Sequence, residues 1–302
     1  MAKLLRGSIS PKSLSVVRRI NSWRQPFVKL VADWILPPRF AHLGQRIYLE
    51  IASRPNAYES SILQRNAKFR NMYAGRRCFV IGNGPSLNKQ DLTPLANEVT
   101  IVMNQFNMHP IINQWKPTFF CMAEPRENMK PEDLPLFLEG IEAQAYFYRI
   151  EFKEIFDKNR FVDPEKVYYL KMWGLLASRS AIDLSRTIPG CRTTAHMALM
   201  LALYLGCSPI YLIGLDHDWL AHRSVERHFY ASSASSVGAS DDLSTYSYKS
   251  MVEGTLHTWR IYESLNDIAS KQGISIYNAT AGGFLDVFPR ADFASLFPSM
   301  HK

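Results

Sequence analysis

The chain has 302 residues, 47% hydrophobic and 21% charged, an ordinary globular composition with ample apolar material for a core. Its formal charge is +8, but residues 1–45 hold Lys3, Arg6, Lys12, Arg18, Arg19, Arg24, Lys29 and Arg39 against the single acid Asp33, so nearly all of the excess is local. That placement argues against a nucleic-acid groove across the fold, and the longest apolar stretch, Ala195 to Leu205, is too short to span a bilayer.

Residues 1–70 read as a basic, amphipathic helical extension. Leu14, Val16, Val17, Ile20 and Trp23 interleave with arginines, and a second apolar patch from Phe27 to Leu36 is stopped by Pro37-Pro38. Such a segment suits either the headgroup region of an anionic membrane or a helical arm packed on protein. No secretory h-region follows Leu4-Leu5, and none of the four cysteines forms a C-x-x-C pair. Buried reduced thiols in a cytoplasmic protein are expected, peripheral to the inner face of the membrane if the extension binds there.

From residue 71 to 302 short apolar runs alternate with helical stretches. Strands are expected at Cys78–Ile81, Val99–Met103, Thr118–Met122, Ala145–Ile150, Val167–Leu170, Ile210–Ile213 and Ile274–Tyr277, with helices at Thr193–Leu205 and Tyr248–Lys271. The pattern is that of an α/β, Rossmann-like domain whose mostly parallel sheet carries helices on both faces. Ligands in such sheets bind beyond the carboxyl ends of the strands. The serine-rich stretch 231–250 reads as a lid over that end.

Polar residues gather at those strand ends. Gly82-Asn83-Gly84-Pro85-Ser86 follows the first strand directly, and its backbone amides and Ser86 hydroxyl suit phosphate oxygens. It is neither a Walker A loop nor a G-x-G-x-x-G fingerprint. Asn104 and Gln105 end the second strand, where two amides can read a base or ribose edge. Glu124 ends the third, and Asp216, His217 and Asp218 follow a later one. His217, His222 and His228 lie near these acids, but their spacing matches no strong metal signature. His196 falls on the apolar helix and reads as a core histidine.

The succession Gly82-Asn83-Gly84-Pro85-Ser86-Leu87, Asn104-Gln105-Phe106, Thr193-Thr194 and Ile210-Tyr211-Leu212-Ile213-Gly214-Leu215-Asp216 resembles bacterial lipooligosaccharide sialyltransferases. The same order is similar to the related domain of motility accessory factors and of 6-hydroxymethylpterin diphosphokinase-like proteins, and Asn278-Ala279-Thr280 resembles the accessory-factor branch more than the sialyltransferases. The resemblance covers roughly residues 76 to 290. It implies a glycosyltransferase that moves a sialic-acid-like sugar from a CMP-linked donor, without a metal ion or other cofactor, to a cell-surface glycan or its lipid-linked precursor.

Carried over by position, Asn83, Gly84 and Ser86 would meet the nucleotide, Asn104 the donor, and Thr194 the CMP. Arg192 and Tyr230 would supply positive charge and a donor to the leaving phosphate. His257 stands within about one residue of the family's general base. The sequence departs from the sialyltransferases at Glu124, where they have an asparagine, and at Asp218 and Ser224, near positions where they place phosphate-binding tyrosines. Those carboxylates keep an alternative open, ATP-dependent pyrophosphoryl transfer with magnesium on Glu124, Asp216 and Asp218; a non-catalytic nucleotide-binding protein is the other. Oligomeric state stays open.

Overall fold

The computed structural model describes residues 53–123, 133–173, 181–221, 227–230 and 247–297. Residues 1–52 of the expected extension, Glu124, His222, Ser224 and the lid stretch 231–246 lie outside the described residues. The chain divides into two units, Met1–Arg54 and Pro55–Lys302. The second carries every element described here.

Its strands are β1 (Cys78–Ile81), β2 (Val99–Met103), β3 (Phe119–Met122), β4 (Ala145–Arg149), β5 (Val167–Leu170), β6 (Ile210–Ile213) and β7 (Ile276–Asn278). Its helices are α1 (Ala57–Gln64), α2 (Leu134–Leu138), α3 (Lys153–Asn159), α4 (Thr194–Tyr204) and α5 (Tyr248–Lys271). All seven strands run parallel in one sheet of order β5-β4-β3-β2-β1-β6-β7.

Side-chain alternation along each strand explains the uninterrupted apolar runs, because both faces are covered. Cys78, Val80, Ile101, Phe119, Phe147 and Leu212 join one core with α4 and α5. Phe79, Ile81, Val102, Phe120, Tyr148 and Ile213 join a second core on the opposite face, with the short helical turns and α2 and α3. Every residue of α4 is buried. Its sequence therefore shows no polar stripe, and Thr193 caps it by accepting from the His196 amide. α5 instead buries one stripe, Thr258, Ile261, Tyr262, Leu265, Ile268 and Ala269, at the spacing of a surface helix.

The body begins earlier than residue 71. Asn56 and Glu59 form a reciprocal capping box at the start of α1. Phe69 sits edge-on to Phe119, Phe147 and Tyr168 at 5.9, 5.1 and 4.7 Å between ring centres. Residues 55–70 therefore pack as part of the α/β body and not as extension, because their few apolar side chains close the β3–β5 side of the sheet. At the far end of the stretch 231–250 expected as a lid, Ser247 caps α5 and residues 248–250 are its first turn. Among the described residues no helix is long and apolar enough to cross a membrane. The cysteines are unpaired, with Cys78, Cys121 and Cys207 buried.

Strand order reverses at β1. The chain steps outward from β1 to β5 along one side, then returns through α4 to lay β6 on the other side of β1. The carboxyl ends of β1 and β6 thus flank the crevice where parallel sheets of this kind hold ligands.

Candidate active site at the reversal of strand order

The turn after β1 meets the turn after β6 within hydrogen-bond distance. Gly82 N donates to Ile213 O and Gly84 N to Gly214 O, both at 2.8 Å. Ser86 donates twice to Asp216, from its amide to Oδ1 at 3.1 Å and from its hydroxyl to Oδ2 at 2.8 Å. Leu87 N donates to Gly84 O. The expected phosphate cradle is thus largely spent within the protein: among the described residues the amides of Gly82, Gly84, Ser86 and Leu87 all have acceptors, Asn83 N has none, and Pro85 has no N–H. The carboxylate of Asp216 occupies the place of an external anion at the first turn of the helical segment Pro85–Lys89. Glycine is obligatory at 84, because a β-carbon there would fall 1.7 Å from Asp216 Oδ2. Burial pushes the Asp216 carboxyl up, the Ser86 donors pull it back, and neighbouring Asp218 adds a further upward push.

Asn83 faces the same crevice from β1. Its Nδ2 donates to Met103 O at 3.0 Å, which fixes the amide orientation and leaves Oδ1 buried without a donor. Residues 227–230 fold over this turn, with Phe229 N donating to Asn83 O at 2.9 Å and Asn88 Nδ2 to Phe229 O at 3.0 Å. Tyr230 is buried in that segment and stacks on His228. Gln105 is buried as well, so it does not offer an open edge to a base.

A second group collects one strand further, at the ends of β2 and β3 and the start of α4. Asn104 holds φ at +51°, a left-handed conformation that costs a non-glycine residue about 1–3 kcal/mol and that clusters at functional sites. Thr194 donates its hydroxyl to Asn104 Oδ1 at 3.1 Å, leaving Asn104 Nδ2 as a donor. Arg192 is exposed just before the Thr193 cap, and its guanidinium makes no ion pair among the described residues. It lies across α5 at Gly254, where a β-carbon would stand 3.1 Å from Nη2. His257, exposed on α5, follows three residues later. A cation without an ion pair among the described residues, the Asn104 amide donor and the first turn of an eleven-residue helix are the parts of a candidate anion seat.

Beneath that seat Tyr262, which the sequence analysis did not single out, lies between His196 and His217. His196 Nδ1 accepts from Arg192 N at 3.3 Å, and the His196 ring sits 4.2 Å from the Tyr262 ring. His217 does not face a ligand with its nitrogens: Nε2 bonds the Tyr262 hydroxyl at 2.8 Å, and Nδ1 is sealed from solvent. Its ring packs among Trp219, Trp259 and Tyr262, which corrects its assignment as a substrate contact. Burial depresses both imidazoles, each to about 3. After β7, Thr280 accepts from Leu215 N and Phe284 N donates to Asp216 O, so the Gly282-Gly283 loop buttresses Asp216. The only sequence signals for these were a Thr-x-x-His spacing and a glycine pair behind a strand.

Among the described residues no three His, Cys, Asp or Glu side chains come together as metal ligands. Both oxygens of Asp216 are already engaged by Ser86, so the acid pair Asp216 and Asp218 does not by itself fit a magnesium ion.

A family model for 6-hydroxymethylpterin diphosphokinase MptE-like proteins matches residues 55–221, more than half of the chain. The chain belongs to this MptE-like family. The match starts where the α/β body starts and contains both strand-end turns and the anion seat up to Asp218, whereas Tyr230 and His257 fall beyond it. Among solved structures, the chain is similar to the MAf glycosyltransferase from Magnetospirillum magneticum AMB-1, with 17% identity and a TM-score of 0.42 over 76% of this chain and 38% of that one. The chain thus spans well under half of that protein. Two variants of the sialyltransferase CST-II, each in complex with CMP, align at 15% identity over 71% of this chain and 86% or 85% of theirs, with TM-scores of 0.41 and 0.39. No curated protein matches in sequence.

Proposed function

We infer that this MptE-like protein is a glycosyltransferase that takes a sialic-acid-like sugar from a CMP-linked donor. The observation that carries this reading is the Arg192 guanidinium, which has no ion pair among the described residues and is laid against Gly254. Arg192 stands two residues before Thr194, whose hydroxyl bonds Asn104, and His257 is on the adjoining turn of α5. One cation with a few neutral donors matches the single charge of a CMP-sugar phosphodiester. The several charges of a triphosphate would call for more cations than these described residues bring.

In this reading the acceptor hydroxyl oxygen attacks the anomeric carbon as the bond from that carbon to the CMP phosphate breaks. His257 takes the hydroxyl proton, and CMP departs with its charge toward Arg192. Asn83 Oδ1, an acceptor with no protein donor, suits a ribose hydroxyl or base amine once residues 227–230 move aside. No separate cofactor enters the chemistry. The acceptor would be a glycan or lipid-linked glycan, and the basic extension would hold the enzyme at an anionic membrane surface, releasable by salt. Failure to bind anionic vesicles at low salt would remove that last element.

The decisive experiment is calorimetric titration of CMP with and without a chelator, on wild type and Arg192→Ala. Losing a charge-assisted bond should weaken CMP by about 10- to 150-fold. Equal affinities for the two proteins would reject the reading. Pyrophosphoryl transfer from ATP is the second reading, favoured by the family's description. Tight ATP binding that requires magnesium, with no CMP binding, would select it.

A further inference from the structure

We propose that His196, Tyr262 and His217 are positioning residues, a buried platform that sets the Arg192–Thr194 backbone and so aims the anion seat. The proposal rests on the CMP reading for its ligand, but on packing geometry for its parts. His196 occupies the third position of α4, where a glutamate or glutamine ordinarily reaches back to close a capping box. Here the ring reaches one residue further: the His196 amide donates to Thr193 Oγ at 3.4 Å, while His196 Nδ1 accepts from the amide of Arg192, the residue before the cap. Arg192 is therefore held by its backbone to a fully buried ring, although its side chain is free.

Tyr262 connects this box to the turn after β6. It is fully buried, its ring contacts that of His196, and its hydroxyl bonds His217 Nε2. The His217–Tyr262 bond joins two groups closed off from solvent, so it ties the turn after β6 to the ring beneath the Arg192 amide whichever partner donates. Thr193 Oγ, half-exposed beside Arg192, accepts from the His196 amide. Burial keeps both imidazoles neutral, so the platform brings no competing charge under the seat.

A purely structural role would weaken every ligand alike, whereas a positioning role acts on the phosphate. The test measures CMP, cytidine and inorganic phosphate affinities for wild type, Tyr262→Phe, His196→Gln and His196→Ala, with thermal unfolding as the check on folding. Tyr262→Phe should weaken CMP and phosphate by about three- to tenfold while cytidine holds its affinity. His196→Gln, whose side-chain oxygen can accept a backbone N–H ahead of α4 as the imidazole does, should bind CMP within about twofold of wild type, and His196→Ala should not. At position 217, where φ is +50°, asparagine suits the backbone better but only glutamine reaches Tyr262. His217→Gln binding CMP better than His217→Asn therefore supports the hydrogen-bonded line, and the reverse order overturns it. Parallel loss of CMP and cytidine in Tyr262→Phe also overturns the proposal. Wild-type binding of phosphate without CMP would reject the donor reading while the Tyr262→Phe comparison on phosphate still decides the platform; binding of neither would refute both.

Discussion

Gly254→Ala separates ligand binding from stability at one atom. Gly254 lies inside α5, where glycine costs about 0.5–1 kcal/mol relative to alanine, so the substitution by itself should raise stability by that amount. The new β-carbon would stand 3.1 Å from Arg192 Nη2 and 3.9 Å from Cζ, with no other atom of the described residues outside the helix's own backbone and the two neighbouring residues within 4 Å. Only the flexible end of Arg192 has to yield, by a few tenths of an ångström, so no core strain offsets the helical gain. An arginine–phosphate contact lengthened from about 3.0 to about 3.5 Å at an effective dielectric constant of about 20 loses roughly 0.8 kcal/mol, or about fourfold in affinity. Imperfect hydrogen-bond geometry would carry the loss toward about tenfold. Denaturant unfolding and CMP titration on the same preparation measure both quantities. Stability unchanged or higher with weaker CMP binding is the expected pair. Unchanged CMP affinity would show that Arg192 does not serve the ligand, and a stability loss matching the affinity loss would show that Gly254 serves only packing.

Acid should destabilise the protein early. His196 is buried with its folded-state value at about 3, below the ordinary value of 6.5, so its stability is fully present above 6.5 and is lost as pH falls toward 3. By pH 5 the loss is on the order of 2 kcal/mol, with His217 acting in the same direction, and His196→Gln should flatten unfolding free energy against pH in this range. Gly84→Ala drives a methyl into Asp216 and should cost about 3 kcal/mol or more, read as a fall in denaturation midpoint; an unaltered midpoint would contradict the packing of the two turns. His257→Ala should slow CMP release from a CMP-linked nonulosonic acid by about 100-fold or more while CMP affinity holds, and unchanged turnover would remove His257 as the base.

Much of the fold was legible in the sequence because strand pattern is a local property. The runs at Cys78, Val99, Phe119, Val167 and Ile210 are apolar on both alternating faces, which only a strand covered twice requires, and the helices between them imply parallel pairing. The order of polar residues at strand ends likewise pointed to the crevice and, by resemblance, to the family. The start of the body was less visible, since Phe69 announces its place only through Phe119, Phe147 and Tyr168, far along the chain.

Which donors remain free was decided only by the tertiary structure. The glycine turn after β1 has the composition of a phosphate loop, yet β6 brings Asp216 onto it 130 residues later and consumes the Ser86 donors. The free cation arises the same way: Arg192 is one of many arginines in the sequence until α5 presents a residue without a side chain beneath it. Residue types and their spacing determine which strands and helices form and which polar groups reach the end of the sheet. Whether a donor there is satisfied or open depends on partners distant in sequence, because a hydrogen bond is made in space and leaves no periodicity along the chain.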